Sequence, residues 1–222
     1  MKRLFAIADN RRPNSLVSRF RRKRFRLFSS LLAELPRPVR ILDVGGTPEY
    51  WRNMGAWGNA ELEITILNLI EADTQSNNVR CIVGDARDLS RFSPHDFDVV
   101  FSNSVIEHLG SEEDQERMAR EIRRVGPRFF VQTPNRYFPI EPHFFFPGFQ
   151  FLPLALRIAL VRRFALGYHA AIPDPDEARR AVVEIRLLSA KEVSNLFPEA
   201  TVFRERVLGL TKSFIAFGGW SA

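Results

Sequence analysis

Short apolar runs that alternate with helical or turn segments dominate the chain from residue 39 onward. Five of these runs predict β-strands, because they are rich in β-branched and apolar residues and are bounded by turn-forming residues. In chain order they are VRILDV, LEITIL, VRCIV, FDVVFS and RFFVQT. Such strands, separated by helical segments, indicate a mainly parallel sheet that is covered on both faces.

The remaining pattern predicts how the sheet is completed. SEEDQERMAREIRRV, between the fourth and fifth strands, predicts a helix capped by Ser111, with acids in its first turn and arginines near its end. After a helix predicted from Ser189 to Phe197, ATVFRERV and KSFIAFGG are too close together for a helix between them, so they predict a hairpin around Leu208–Leu210. The expected fold class is α/β: a Rossmann-like, doubly wound, mainly parallel seven-stranded sheet with an antiparallel C-terminal hairpin.

A basic helix is predicted ahead of this sheet. Between Ser15 and Leu35 apolar residues recur at helical spacing with arginines between them, and Pro36 and Pro38 close the pattern. We therefore expect a basic arm and amphipathic helix over residues 1–38 and a main domain over 39–222. The helix either packs on the main domain with a solvated basic face, which we favour, or attaches to anionic lipid or nucleic acid.

Charge and composition narrow the class of protein. The chain of 222 residues is 45% apolar and carries a net charge of +6, but residues 1–26 alone contribute +9, so the remainder is net −3. A near-neutral main domain does not favour a nucleic-acid substrate. Cys81 is the only cysteine, which excludes an internal disulfide. No apolar segment is long enough to span a bilayer, and no signal-peptide core is apparent, so a cytoplasmic location is expected.

The first predicted strand ends in a turn that suits a positively charged ligand. Asp43 comes at the strand end and is followed by Gly45 and Gly46, which let the backbone approach a ligand closely. A carboxylate here would repel a pyrophosphate but suits an ammonium or a sulfonium. The third glycine of a dinucleotide loop and the lysine of a P-loop are both missing. These features disfavour an NAD-dependent oxidoreductase.

Polar residues also follow the next three strands, and parallel sheets bind ligands at this edge. Asn68, after the second strand, stands where an acid commonly holds ribose hydroxyls, and Glu71 or Asp73 could replace it; Asn68 as a simple turn residue is the alternative. Asp85 can accept from an exocyclic amine and the backbone of Ala86 can meet a ring nitrogen, although Asp85 could equally cap the following turn.

The fourth strand leads into SNSVIEHLG. Asn103 falls where a bound amino-acid moiety would lie. Glu107 and His108 open a helix, and His108 is a candidate base or substrate contact, with a structural role as the alternative.

Together, ILDVGG, ITILN, VGDARDL and DFDVVFSNSVIEHL resemble class I S-adenosylmethionine-dependent methyltransferases that act on small molecules. The resemblance implies S-adenosyl-L-methionine as cofactor, with its methionine part at Asp43, Gly45, Gly46 and Asn103, its ribose at Asn68, and its adenine at Asp85 and Ala86.

A segment rich in phenylalanine and proline follows the fifth strand. We expect residues 134–175 to form a lid over the strand ends, with a helix beginning near Pro153. Phenylalanine-rich surfaces pack on their own domain, bind an apolar ligand or meet a membrane. Within the lid, His143 is the first candidate for a base, oriented by Glu141; the alternative is that the pair only ties the lid down. A metal site is disfavoured, because His108 or His169 would have to complete the ligand set.

These features together predict a methyltransferase. The expected reaction is S-adenosylmethionine-dependent methyl transfer to a small-molecule or lipid-like acceptor, with O- or C-methylation favoured. The basic helix and the aromatic lid add the hypothesis of peripheral contact with an anionic membrane. The competing hypothesis is a non-catalytic protein of the same fold that binds anionic lipid or RNA through its basic N-terminus.

Overall fold

The sheet has the predicted composition and topology. A computed structural model of the protein describes residues 16–220, with side chains from Ser18 onward. Seven strands lie in the order β3-β2-β1-β4-β5-β7-β6. Strands β1 to β5 are parallel, and β7 runs antiparallel to both β5 and β6. The strands are β1 Val39–Val44, β2 Leu62–Asn68, β3 Val79–Val83, β4 Val99–Asn103, β5 Phe129–Pro134, β6 Thr201–Val207 and β7 Leu210–Gly218.

The helices flank this sheet. Ser111 caps α3 as predicted, its hydroxyl accepting a hydrogen bond from the backbone N–H of Asp114 over 3.1 Å. Helix α2 was not predicted; Pro48 opens it, at a position where the missing N–H costs nothing. The helices are α1 Leu16–Leu32, α2 Pro48–Asn53, α3 Glu112–Val125, α4 Leu154–Arg163, α5 Pro175–Val183 and α6 Ala190–Leu196, with 3₁₀ turns at Ile106–Leu109 and Phe149–Phe151.

Both faces of the sheet are buried, as continuous apolar strands require. Along β1, Leu42 packs with α3 residues such as Met118 on one face, while Ile41 packs with Trp51 on the other. The segment after β5 has a small core of its own, made of Phe144, Phe149, Val161, Ala178 and Val182. Two phenylalanines of the expected lid thus face inward, whereas Phe151 is 57% exposed.

Helix α1 is part of the main hydrophobic core. Phe28 and Leu32 are buried, and the ring of Phe28 lies 4.8 Å from that of Phe101 and 5.2 Å from that of Phe130, measured between centroids. The packed alternative for this helix is therefore confirmed, and the predicted boundary at residue 38 falls within a shared core. Within residues 16–220, no helix combines the length and apolarity needed to cross a membrane.

Candidate functional site

The turn after β1 folds tightly around Asp43, and its two glycines are needed for different reasons. Gly45 has a φ of +77°, and a Cβ there would lie 2.5 Å from Cγ1 of Val105. A Cβ on Gly46 would lie 1.7 Å from Oδ2 of Asp43 itself. The first glycine therefore supplies a left-handed backbone, and the second makes room for the carboxylate that precedes it.

Asp43 is buried with only one of its oxygens paired. Its Oδ2 accepts a hydrogen bond of 2.6 Å from the indole N–H of Trp51. Its Oδ1 is buried and has no hydrogen-bond partner among residues 16–220. Burial raises the pKa of Asp43 from 3.8 to about 7, although the Trp51 hydrogen bond opposes the shift. A positively charged ligand would stabilise the ionised form.

A cleft of about 410 Å³ opens beside this turn. Tyr50 is one of its lining residues. Like Oδ1 of Asp43, the hydroxyl oxygen of Tyr50 is buried and has no partner in the described part of the chain. Burial raises the pKa of Tyr50, so its hydroxyl stays protonated. Among the predicted cofactor residues, those that line the cleft are Asp43, Gly45, Gly46 and Asn103, and they are joined by residues that were not predicted, including Arg21 and Arg22 of α1, Thr47, Tyr50 and Ser104.

Helix α1 reaches the predicted methionine contact through a buried arginine. Arg24 is 5% exposed, and its Nη1 donates to Oδ1 of Asn103 and to Oε1 of Gln132, each over 2.6 Å. Its Nε donates to both carboxylate oxygens of Glu205 over 2.9 and 3.0 Å. This network was not predicted from the sequence. The sequence did contain an indication: Arg24 lies four residues from both Phe20 and Phe28 and therefore falls on the apolar face of the helix.

The three remaining predicted cofactor residues lie at neighbouring strand ends and do not line this cleft. The side-chain amide of Asn68 donates to the carbonyl of Gly46 over 2.8 Å, which ties the glycine turn to β2. Asp85 pairs with Arg87 at 2.6 Å, and that hydrogen bond lowers the pKa of Asp85. Ala86 is buried in the core. Their roles toward ribose and adenine stay predictions.

The predicted catalytic residues form one cluster at the border of the inserted segment. Nδ1 of His143 lies 2.6 Å from Oε1 of Glu141. The other oxygen of Glu141 accepts from the backbone N–H groups of His143 and Phe144 over 2.8 and 2.6 Å. Burial lowers the pKa of His143, but the hydrogen bond from Glu141 and its charge outweigh this and raise it overall. The hydrogen bond to Glu141 fixes the orientation of the His143 ring, and the catalytic roles of the two residues stay predictions.

His108 and an unexpected acid complete the cluster. The rings of His108 and His143 are perpendicular, with centroids 4.8 Å apart, and burial lowers the pKa of His108 to about 4. Glu107 is fully buried; its Oε2 accepts from the hydroxyl of Thr133 over 3.0 Å, and its Oε1 has no partner within residues 16–220. No chemical role was predicted for Glu107. Its position beside His108 was the available signal.

Comparisons with known proteins agree with this architecture. A family model described as a methyltransferase domain matches residues 45–127. Two curated Mycobacterium tuberculosis proteins, both described as uncharacterized, are 29% identical over 103 residues, which are 44% of this chain and 34% of theirs. The matched region thus spans about a third of the length of these relatives.

Solved structures give the fold. The CurJ carbon methyltransferase is similar with a TM-score of 0.58 and 11% identity, over 94% of this chain and 56% of that one. The 1,6-didemethyltoxoflavin N1-methyltransferase of Burkholderia thailandensis, solved with S-adenosylhomocysteine, is similar with a TM-score of 0.51 and 14% identity, over 85% of this chain and 74% of that one. The resemblance inferred from the sequence is thereby confirmed: the chain has the fold of the class I S-adenosylmethionine-dependent methyltransferases.

Proposed function

We propose that this protein binds S-adenosyl-L-methionine in the cleft beside Asp43 and transfers its methyl group to a small-molecule or lipid-like acceptor. One observation carries the proposal. Asp43 and Tyr50 line the same cleft, and each carries a buried polar atom without a partner in the described chain, Oδ1 of Asp43 and the hydroxyl oxygen of Tyr50. Unpaired buried polar atoms are costly, and a ligand that pairs with both offsets that cost.

The charges around the cleft suit the amino-acid part of this cofactor. Asp43 would hold its ammonium group. Arg21, on the facing helix α1, also lines the cleft, and burial together with Arg24 lowers the pKa of Arg21. A carboxylate from the ligand would relieve that unfavourable environment, so Arg21 is the proposed partner of the methionine carboxylate.

The rest of the cofactor would extend along the strand ends toward β3. Within residues 16–220, Oδ1 of Asn68 accepts one long hydrogen bond of 3.3 Å, from the backbone N–H of Ile70, so it can also accept from a ribose hydroxyl. Asp85 and Ala86 follow at the end of β3 and are the proposed adenine contacts. Because Asp85 already pairs with Arg87, it would hold adenine as a carboxylate whose position is fixed.

The reaction needs alignment and the removal of one proton. When bound, the cofactor supplies a methyl group on a positively charged sulfur. The sulfur–carbon bond breaks, a bond from the acceptor oxygen or carbon to that methyl forms, and the acceptor loses a proton. Because Glu141 fixes Nδ1 of His143, the Nε2 atom of His143 is the proposed base, with His108 beside it as a substrate contact.

The nature of the acceptor is inferred from similar folds and from α1. The carbon and toxoflavin methyltransferases named above support a small-molecule acceptor with the same cofactor. Helix α1 exposes a basic stripe, Arg19, Lys23 and Arg26, on the side away from its buried face. We infer peripheral contact of this stripe with anionic lipid, which would bring the protein to a lipid-like acceptor.

Calorimetric titration with S-adenosylhomocysteine tests the proposal. We expect saturable binding to the wild type and binding at least about 10-fold weaker for Asp43→Asn, a loss of about 1.4 kcal/mol. Asp176→Asn, which removes an exposed carboxylate on α5, is the matched control and should bind like the wild type. Absence of heat at about 1 mM ligand, or equal affinities for the two variants, would overturn the proposed site.

A further inference from the structure

We propose that Glu107, His108 and His143 form a binding site for a divalent transition-metal ion next to the proposed cofactor cleft. Each of the three offers one donor atom, and these atoms all lie within 4.8 Å of one another. Metal–nitrogen and metal–oxygen bonds of about 2.0–2.2 Å in tetrahedral geometry place the donors of one ion about 3.3–3.6 Å apart. Side-chain rotations that bring the widest donor pair together by up to about 1.5 Å would therefore close the cluster around an ion.

Glu107 is the strongest argument for a cation. The residue is 0% exposed, and among the residues that the structure describes only one of its two oxygens has a hydrogen-bond partner, the hydroxyl of Thr133. A buried carboxylate with an unpaired oxygen is unfavourable unless a positive charge faces that oxygen. The described arginines form no hydrogen bond with that oxygen, and ring nitrogens of two histidines lie within 4.8 Å of a Glu107 carboxylate oxygen. A metal ion bound among these atoms would add a positive charge beside the carboxylate and pair with it directly.

His143 is held in the way that metal-binding histidines usually are. A histidine ligand commonly donates its second ring N–H to a carboxylate, which fixes the tautomer and the ring orientation. Glu141 performs this role at Nδ1 over 2.6 Å, which leaves Nε2 as the donor atom for the metal. Glu141 itself is occupied by two backbone N–H groups and by the imidazole, so it is a positioning residue and not a ligand.

The donor set selects the class of ion. Two imidazoles and one carboxylate suit Zn²⁺ and other divalent first-row transition metals, whereas Mg²⁺ and Ca²⁺ prefer oxygen donors. Three protein ligands leave at least one coordination position open. The loop that carries Glu107 begins at Ser104, which lines the cofactor cleft. An acceptor that enters beside the cofactor would take this open position.

The metal offers a second way to remove the acceptor proton. A hydroxyl group bound to a divalent metal ion loses its proton at a lower pH than a free hydroxyl does. His143 would then hold the metal, and the acceptor proton would pass to solvent; this step rests on the proposed function, whereas metal binding does not.

Metal binding is tested directly, on tag-free full-length protein, by titration with Co²⁺ followed by visible absorption and by measuring Zn²⁺ content. We expect one equivalent of metal in the wild type and none in the double variant His108→Ala/His143→Ala. Glu107→Gln and Glu141→Gln should each weaken binding about 10- to 100-fold. His95→Asn is the matched control and should keep the wild-type affinity; His95 is exposed and has a φ of +62°, which asparagine tolerates.

A second measurement distinguishes loss of the metal site from misfolding of a variant. Saturating Zn²⁺ should raise the melting temperature of the wild type and of His95→Asn, but not that of the double variant. Absence of Co²⁺ absorption bands in the wild type, or wild-type affinity in the double variant, would overturn the metal site. Titration with S-adenosylhomocysteine on the same samples separates failure of this site from failure of the cofactor site.

Discussion

Trp51 donates its indole N–H to Oδ2 of Asp43 over 2.6 Å, in a fully buried position eight residues along the chain. The bond forms because α2 begins directly after the glycine turn and folds Trp51 back beneath β1. It pairs one oxygen of the carboxylate and leaves the other, Oδ1, without a partner in the described chain. The same indole also packs against Phe28 of α1, so it links the N-terminal helix to the glycine turn.

Replacing Trp51 by phenylalanine should destabilise the protein and weaken ligand binding. The variant leaves a cavity and removes the partner of Asp43 Oδ2, so we expect a loss of about 2–4 kcal/mol in the free energy of unfolding, measured by urea denaturation. Trp57→Phe is the control, because Trp57 is half-buried with the guanidinium of Arg52 4.0 Å from its ring, and it should cost less than about 1 kcal/mol. Equal losses would argue against a special role for the Trp51 bond.

Asp43 should make the stability of the ligand-free protein fall as the pH rises. Its pKa is about 7 in the folded state against 3.8 ordinarily, so the folded state binds this proton more tightly than the unfolded state does. The stabilisation is complete below about pH 4 and is lost as the pH rises to about 7, with a change of up to about 4 kcal/mol. Asp43→Asn should lack this contribution.

The measurement is urea denaturation of both proteins from pH 4 to pH 8. Other groups titrate in this range, and the difference between wild type and Asp43→Asn isolates the Asp43 contribution. Saturating S-adenosylhomocysteine should reduce the pH dependence of the wild type, because a bound ammonium favours the carboxylate. A difference that does not change with pH would contradict the raised pKa of Asp43.

The buried pair of Arg24 and Glu205 should be strongly coupled. Arg24→Met leaves the carboxylate of Glu205 buried without its cation, and we expect a loss of about 3–5 kcal/mol. Adding Glu205→Gln should recover much of that loss, so the double variant should be more stable than additive effects predict. Arg26→Met, at an exposed position on the same helix, should change stability by about 0.5 kcal/mol or less.

The Arg24 variant also tests the link to the cleft. Because Nη1 of Arg24 holds the side chain of Asn103, its loss should weaken S-adenosylhomocysteine binding in the Arg24→Met/Glu205→Gln protein even where stability is recovered. Calorimetric titration of that double variant gives the affinity. Unchanged affinity would show that the orientation of Asn103 does not matter for the ligand.

The exposed stripe on α1 should mediate binding to anionic vesicles. The triple variant Arg19→Glu/Lys23→Glu/Arg26→Glu reverses three exposed charges and should abolish co-sedimentation with phosphatidylserine-containing liposomes. High salt should also release the wild type, because these charges are screened. Binding to S-adenosylhomocysteine should be unaffected.

The control for this prediction carries the same charge change elsewhere. Arg117→Glu/Arg120→Glu/Arg179→Glu alters exposed positions on α3 and α5 and should leave co-sedimentation intact. Loss of sedimentation in both triple variants would show that binding depends on the net charge of the protein and not on the stripe on α1. A wild type that does not sediment would remove the membrane hypothesis.

The sequence predicted the strands well because β-branched runs that are buried on both faces leave little choice of conformation. VRILDV and VRCIV became β1 and β3 without any change of boundary. Helix α2 was missed because the motif TPEYW gives only one turn of pattern, too short to register as a helical period. A role for Glu107 was not predicted, because a carboxylate beside a histidine in sequence does not by itself indicate a site. The fold places His143 close to both Glu107 and His108.

The sequence by itself determined the order of the elements, the class of fold and which strand ends carry polar residues, since hydrophobic period and turn residues act locally. Only the tertiary structure decided that Asp43 bonds to Trp51, that Arg24 reaches Asn103 and Glu205, and that Glu107 faces two histidines. The contacts of Arg24, and that of Glu107 with His143, join residues that are distant along the chain, whereas the Asp43–Trp51 bond depends on the tight turn between them. The free energy of each contact depends on burial, because burial raises the cost of an unpaired charge. The local pattern of residues does not indicate how deeply a polar side chain is buried.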